Sequence, residues 1–184
     1  MISLSVPKEN AEYQKRQAEA ELNRLMDTYG NDVLRTATMF LKDRQKAEDA
    51  FQEVFIKVFN KMDSFKGESS EKTWIIRITI NLCKDILRSS WMKRVLLTDK
   101  TTNRVIKFDF DKKINRQEEN RRLYEAVLSL PPAYKEVVIL FYYQEFDTLE
   151  ISRVLKIAEG TVRSRLHRAR EILKKQLEGG LDLR

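Results

Sequence analysis

The stretch DTLEISRVLKIAEGTVRSRLHRAREILKK, residues 147–175, decides how the C-terminal half of this chain folds. Asp147 and Glu150 stand at capping-box spacing, an acid to accept first-turn amides and a Glu three residues on to reach back. A helix therefore starts here and continues through Ile151, Val154 and Leu155. A short turn follows at 156–159, and a longer helix is predicted over about residues 160–176. Two helices of these lengths around a tight turn make a helix-turn-helix. In the second helix Val162, Leu166, Ala169, Leu173 and Leu177 form a stripe to bury. Arg163, His167, Arg170 and Lys174 form an opposite row, with Ser164, Arg168 and Lys175 beside it. A cationic ridge one helix wide fits a DNA major groove and gains from counterion release at phosphates. A solvated basic face on an ordinary bundle helix has the same composition; the capped helix and tight turn in front favour DNA.

Working towards the N-terminus, Pro131 and Pro132 break the chain and seed a helix carrying Tyr134, Val137, Val138 and Phe141. Leu123, Val127 and Leu130 place another helix before it. Between Ser89 and Asn115 the helical period fails, and Ile106, Phe108 and Phe110 alternate with Lys107, Asp109 and Asp111. A lone strand without a partner is unstable in water, so this segment reads as extended or irregular linker. Upstream, apolar residues from Leu22 through Leu25, Met26, Tyr29, Val33, Leu34 and Ala37 to Leu41 recur at helical spacing, with Gly30 and Asn31 as a break between two helices. Asp43 caps a following helix to Lys61 whose stripe is Ala47, Ala50, Phe51, Val54, Phe55, Val58 and Phe59. A third helix, about 70–88, buries Trp74, Ile75, Ile78, Leu82 and Ile86. The expected fold is all-α: two small helical bundles joined by a flexible linker, with domains at 1–92 and 116–184 and the linker at 93–115.

Composition agrees. Of 184 residues 42% are apolar and 34% charged, with five Gly and three Pro, which suits compact helices and excludes a turn-rich all-β chain. The net charge of +7 favours a polyanionic partner. Cys83 and His167 are the only residues of their types, which excludes an internal disulfide and a Cys/His zinc site, so no metal or cofactor is expected. No motif for nucleotide binding, metal hydrolysis or a nucleophilic triad appears, and an enzyme is the least favoured class. With neither a signal-peptide core nor a run of about 18 apolar residues, a cytoplasmic protein is expected.

The third helix repeats the basic theme. Arg77, Asn81, Lys84 and Arg88 share a face, and the loop before it holds Phe65, Lys66, Gly67, Glu68 and Ser69, with Lys72 just beyond. An aromatic wall with short polar groups can hold an unstacked base, and a plain loop before a solvated stripe is the alternative.

At these residues the chain resembles a known family. Ala47 through Gln52 and Glu53, then Phe65, Lys66, Gly67 and the run 73–78 with Asn81, Asp85 and Arg88, resemble region 2 of extracytoplasmic-function sigma factors. Leu130, Pro131 and the run 160–170 resemble region 4. The resemblance implies a subunit that binds core RNA polymerase and directs promoter-specific initiation in a stress or envelope response. It implies that Asp49, Gln52 and Glu53 meet the clamp helices of the β′ subunit. Lys66, Glu68, Ser69, Lys72, Asn81, Lys84 and Arg88 would capture and melt the minus-10 element. Gly160, Thr161, Arg163, Ser164, His167, Arg168, Arg170 and Lys174 would read the minus-35 element, in a domain that also binds the β flap. The linker, with Phe108 and Phe110 beside Asp109 and Asp111, would lie in the path of template and nascent RNA. A membrane-anchored anti-sigma factor is the further partner implied. Ala158 stands where the family often has a better cap, Glu159 brings negative charge near DNA, and Ser152 and Arg153 replace small apolar residues. The rivals are a stand-alone helix-turn-helix regulator, which predicts a dimer on a palindrome, and a helical protein-binding adaptor.

Overall fold

In a computed structural model the chain is described over residues 8–97 and 117–178, with side chains over 12–90 and 121–178. Seven α-helices form among the described residues: α1 (Lys8–Leu41), α2 (Arg44–Lys61), α3 (Glu71–Leu97), α4 (Gln117–Ser129), α5 (Pro132–Val138), α6 (Thr148–Leu155) and α7 (Glu159–Glu178). The first three pack as one bundle and the last four as another, as the hydrophobic periods predict. The alternating segment around Phe108 lies outside the described residues.

α1 does not break at Gly30 and Asn31. Gly30 is buried inside the continuous helix facing Phe51 of α2, and a Cβ added there would meet that ring at 3.4 Å, an ordinary contact. The helix stops instead at Lys42, which turns left-handed at φ 54° while its amide donates to Thr38 O. Asp43 then caps α2 as predicted, its Oδ1 accepting from the Lys46 amide at 3.1 Å. α3 runs to Leu97, past the end expected near Arg88. Leu34, Phe59 and Leu177, all assigned to buried stripes, keep more than a third of their surface exposed.

Pro132 opens α5 at its first turn, where a missing amide proton leaves no bond unmade. The helix then widens into a π-turn over Ile139–Tyr143, closed by the Gln144 amide donating to Ile139 O. This turn buries Ile139 and Leu140 in the second bundle and delivers Gln144 to the first.

The two bundles touch: their buried apolar residues belong to one core cluster, and polar pairs cross between them. Gln144 is 1% exposed; its Nε2 donates to Thr36 Oγ1 at 2.9 Å and approaches Asp32 O at 3.4 Å. Lys135 is 7% exposed, with Nζ 3.5 Å from Phe40 O, so it meets a terminal carbonyl of α1 where the helix dipole is negative. Thr73 Oγ1 donates to Glu150 Oε1 at 3.1 Å, and the Lys84 ammonium pairs with Glu136 at 3.0 Å. The Arg35 guanidinium stacks 4.9 Å from the Tyr143 ring centre.

Candidate nucleic-acid and polymerase interface

The helix-turn-helix forms as its caps dictate. Asp147 Oδ1 accepts from the Glu150 amide at 2.7 Å, and Glu150 Oε2 accepts from the Asp147 amide at 3.1 Å. α6 ends where Lys156 turns left-handed at φ 55°. Ile151 and Val154 of α6 and Val162, Leu166 and Ala169 of α7 are buried, while Ser152 is half-buried and Arg153 exposed. Glu159, read from sequence as a charge facing DNA, ties the motif together instead. Its Oε1 accepts from Thr148 Oγ1 at 2.5 Å and from the Arg163 guanidinium at 2.7 Å. These donors, Thr148 first, hold its carboxyl below the usual range.

Gly160, Arg163, Ser164, His167, Arg168, Arg170 and Lys174 are exposed along α7, with Thr161 half-buried at its first turn. The charged contacts here are local: Arg163 to Glu159, Lys174 to Glu178 at 3.8 Å, and His167 Nε2 at 3.7 Å from Glu171 Oε1. Arg170 differs from its row. Its Nε donates to the Tyr142 hydroxyl at 2.8 Å and its guanidinium lies over the Phe141 and Tyr142 rings, so it is oriented by the π-turn.

The candidate minus-10 residues divide. Lys66 and Glu68 are exposed in the loop, Ser69 is half-buried, and Asn81 and Arg88 are exposed on α3. Gly67 takes φ 69°, the left-handed turn that a glycine accepts without strain. Phe65 packs on Trp74 with ring centres 4.9 Å apart, beside an open cleft of about 560 Å³ that Leu25 and Met62 also line. Lys72 and Lys84 are engaged elsewhere. Lys72 pairs with Asp32 at 3.4 Å, donates to Gln144 O at 3.0 Å and lies over the Phe146 ring, while Lys84 is held by Glu136.

On α2, Asp49 and Gln52 are exposed and Glu53 pairs with Lys57 at 2.8 Å. Sequence reasoning missed what lies next to them. Ile56 is 55% and Phe59 37% exposed, extending the polar patch into apolar surface one turn further along. The signal was available, because Ile56 follows Gln52 by four and is out of phase with Val54, Phe55 and Val58. Among the described residues no helix is long and apolar enough to cross a membrane.

Two family models match the chain. Residues 25–92 match the family model for sigma-70 region 2, and residues 120–173 match that for sigma-70 region 4. The extracytoplasmic-function sigma factor SigX of Bacillus subtilis (strain 168) is 31% identical over 168 residues, 84% of this chain and 82% of that protein. SigW of the same organism is 30% identical, over 83% of this chain and 87% of its own. Among solved structures, RpoE of Bartonella quintana, in complex with the anti-sigma factor NepR, shares the fold at a TM-score of 0.76 and 22% identity. That match covers 86% of this chain and 97% of RpoE. CnrH, in complex with the cytosolic domain of CnrY, does so at 0.66 and 20% identity, over 89% of this chain and 94% of its own. With both regions in order on one chain, and relatives matched over most of their length, this protein belongs to the extracytoplasmic-function sigma factors of the sigma-70 family, which direct transcription initiation by RNA polymerase.

Proposed function

We propose that the chain docks on core polymerase through the exposed face of α2, captures the minus-10 element with the 65–70 loop and α3, and reads the minus-35 element with α7. The observation that carries this division is the separation of surfaces. α2 shows acids and an amide running into Ile56 and Phe59, whereas α7 shows cations on a capped helix-turn-helix. Interface energy concentrates on apolar anchors ringed by polar contacts, so Ile56 and Phe59 join Asp49, Gln52 and Glu53 as the docking surface. On α7, Arg163, Ser164, His167 and Arg168 lie towards the N-terminal half that meets base edges, and Lys174 lies further along near phosphates. The proposal includes an anti-sigma factor as a further partner covering the same surfaces, as the likeness to RpoE, solved with the anti-sigma factor NepR, supports.

Run-off transcription with core polymerase, with and without the chain, tests the reading. A site-specific transcript is expected only in its presence. Asp49→Ala, Gln52→Ala and Glu53→Ala together are expected to weaken core binding with helix content unchanged by circular dichroism. Unchanged affinity would remove α2 as the docking surface. A stand-alone regulator would bind its site equally well without polymerase.

A further inference from the structure

We propose that Tyr142 is a positioning residue for promoter binding: its hydroxyl orients Arg170 without neutralising it, so that the guanidinium meets a backbone phosphate at the minus-35 element with its charge unspent. This rests on the assignment of α7 to that element.

The cationic row of α7 is not uniform. Arg163, His167 and Lys174 each face a glutamate one turn away on the same helix, Glu159, Glu171 and Glu178. No acid stands three or four residues from Arg170, where Leu166, His167, Leu173 and Lys174 lie instead. Among the described residues its polar partner is a phenol: Nε donates to the Tyr142 hydroxyl at 2.8 Å, and the guanidinium carbon stands 5.8 Å from the Tyr142 ring centre and 5.7 Å from that of Phe141. A phosphate approaching Arg163 competes with a carboxylate, whereas one approaching Arg170 meets an undivided positive charge.

The widened turn puts the tyrosine where this is possible. Ile139 and Leu140 of the π-turn are buried, while Tyr142 is 51% exposed and its ring is held edge-on to Phe141 with centres 5.0 Å apart. The bond engages Nε alone, which leaves both terminal amino groups of a planar fork, and such a fork matches two phosphate oxygens. Arg170 is itself exposed, so the fork is open to solvent. A long side chain fixed in advance loses less freedom when DNA binds, and that saving is the contribution of the hydroxyl.

The test uses the full chain as holoenzyme with core polymerase, on a promoter mapped by run-off transcription and on minus-35 variants of it, across salt concentrations. Tyr142→Phe removes the hydroxyl and keeps the ring; it is expected to weaken promoter binding about threefold with the salt slope unchanged, because the cation remains. Arg170→Ala is expected to weaken all minus-35 variants alike, by more than Tyr142→Phe does, and to lower the salt slope by about one. Arg170→Lys should keep the slope and recover only part of the affinity, since it restores the charge and not the fork. In the Arg170→Ala background Tyr142→Phe should cost nothing further, whereas a merely structural tyrosine would cost the same in both backgrounds. A loss from Tyr142→Phe that persists without Arg170, or full affinity in Tyr142→Phe, overturns the positioning role. Unchanged promoter affinity in Arg170→Ala while Arg163→Ala still weakens binding also overturns it, and leaves α7 as the reading helix. Unchanged affinity in both arginine variants overturns the assignment of α7 itself, and the proposal with it.

Discussion

α3 and α7 each carry a row of cations, yet the rows are held in different ways. On α7 the partners are local and solvated: Arg163 and Glu159 are one turn apart, as are Lys174 and Glu178, with the cations 70% and 72% exposed. Such pairs contribute about 0.3–0.5 kcal/mol each and yield readily to a phosphate. On α3 the Lys84 partner comes from the other bundle, and Glu136 is only 15% exposed. Breaking that pair strands a half-buried carboxylate, so it is coupled to movement of a whole domain. Equal charge on two helices thus has unequal availability, greater on α7 than at Lys84 of α3.

The largest effects should come from the available row. Arg163→Ala and Arg168→Ala are each expected to reduce holoenzyme binding by about 1–3 kcal/mol and to relax preference at one minus-35 position. Lys174→Ala should weaken all sequences alike and lower the salt slope by about one. Binding to a panel of minus-35 variants across salt concentrations separates these, and equal, sequence-independent losses from all three would reduce α7 to a general electrostatic patch.

Asp147→Ala sharpens the comparison from the side of stability. Loss of the cap is expected to destabilise the second bundle by about 1 kcal/mol, read as a lower unfolding midpoint. Because the capping partner Glu150 also accepts from Thr73, the contact between bundles should loosen in the same variant, seen as an increased radius of gyration. A stability loss without expansion would confine the effect to α6.

The smallest expected effect is a pH dependence of the closure of one bundle on the other. Burial, with Lys42 nearby, pushes the Lys135 ammonium down from 10.5 to about 8, and Glu136 only partly offsets this. The closed chain therefore holds fewer protons on Lys135 than the open one between about pH 8 and 10.5, and closure is favoured as pH rises through that window. Below about pH 8 both forms are protonated and Lys135 adds no slope. The neighbouring Cys83 thiol, pushed up to about 12 by burial, stays protonated throughout. Scattering across this range should show compaction in the parent and none from this source in Lys135→Met, which should also close more tightly because it buries no charge.

Most of the fold was legible in residue order, because caps and apolar spacing act within a few residues of one another. Asp43 and Asp147 cap where their spacing predicts, Pro132 opens a helix, and the stripe of Val162, Leu166 and Ala169 is buried. The exposed face of α7 followed from the same period. Gly30 was misread because a glycine that breaks a helix and one buried inside a continuous helix look alike until the neighbouring helix is in place. What only the tertiary structure decided is the pairing between bundles. Gln144 finds Thr36 across 108 positions of sequence, and Lys135 finds Phe40 across 95. No local preference encodes such meetings. A buried amide or lysine is favoured only where another segment supplies its partner, so the sequence by itself determined which faces are cationic, and the packing of one bundle on the other decided which cations are free.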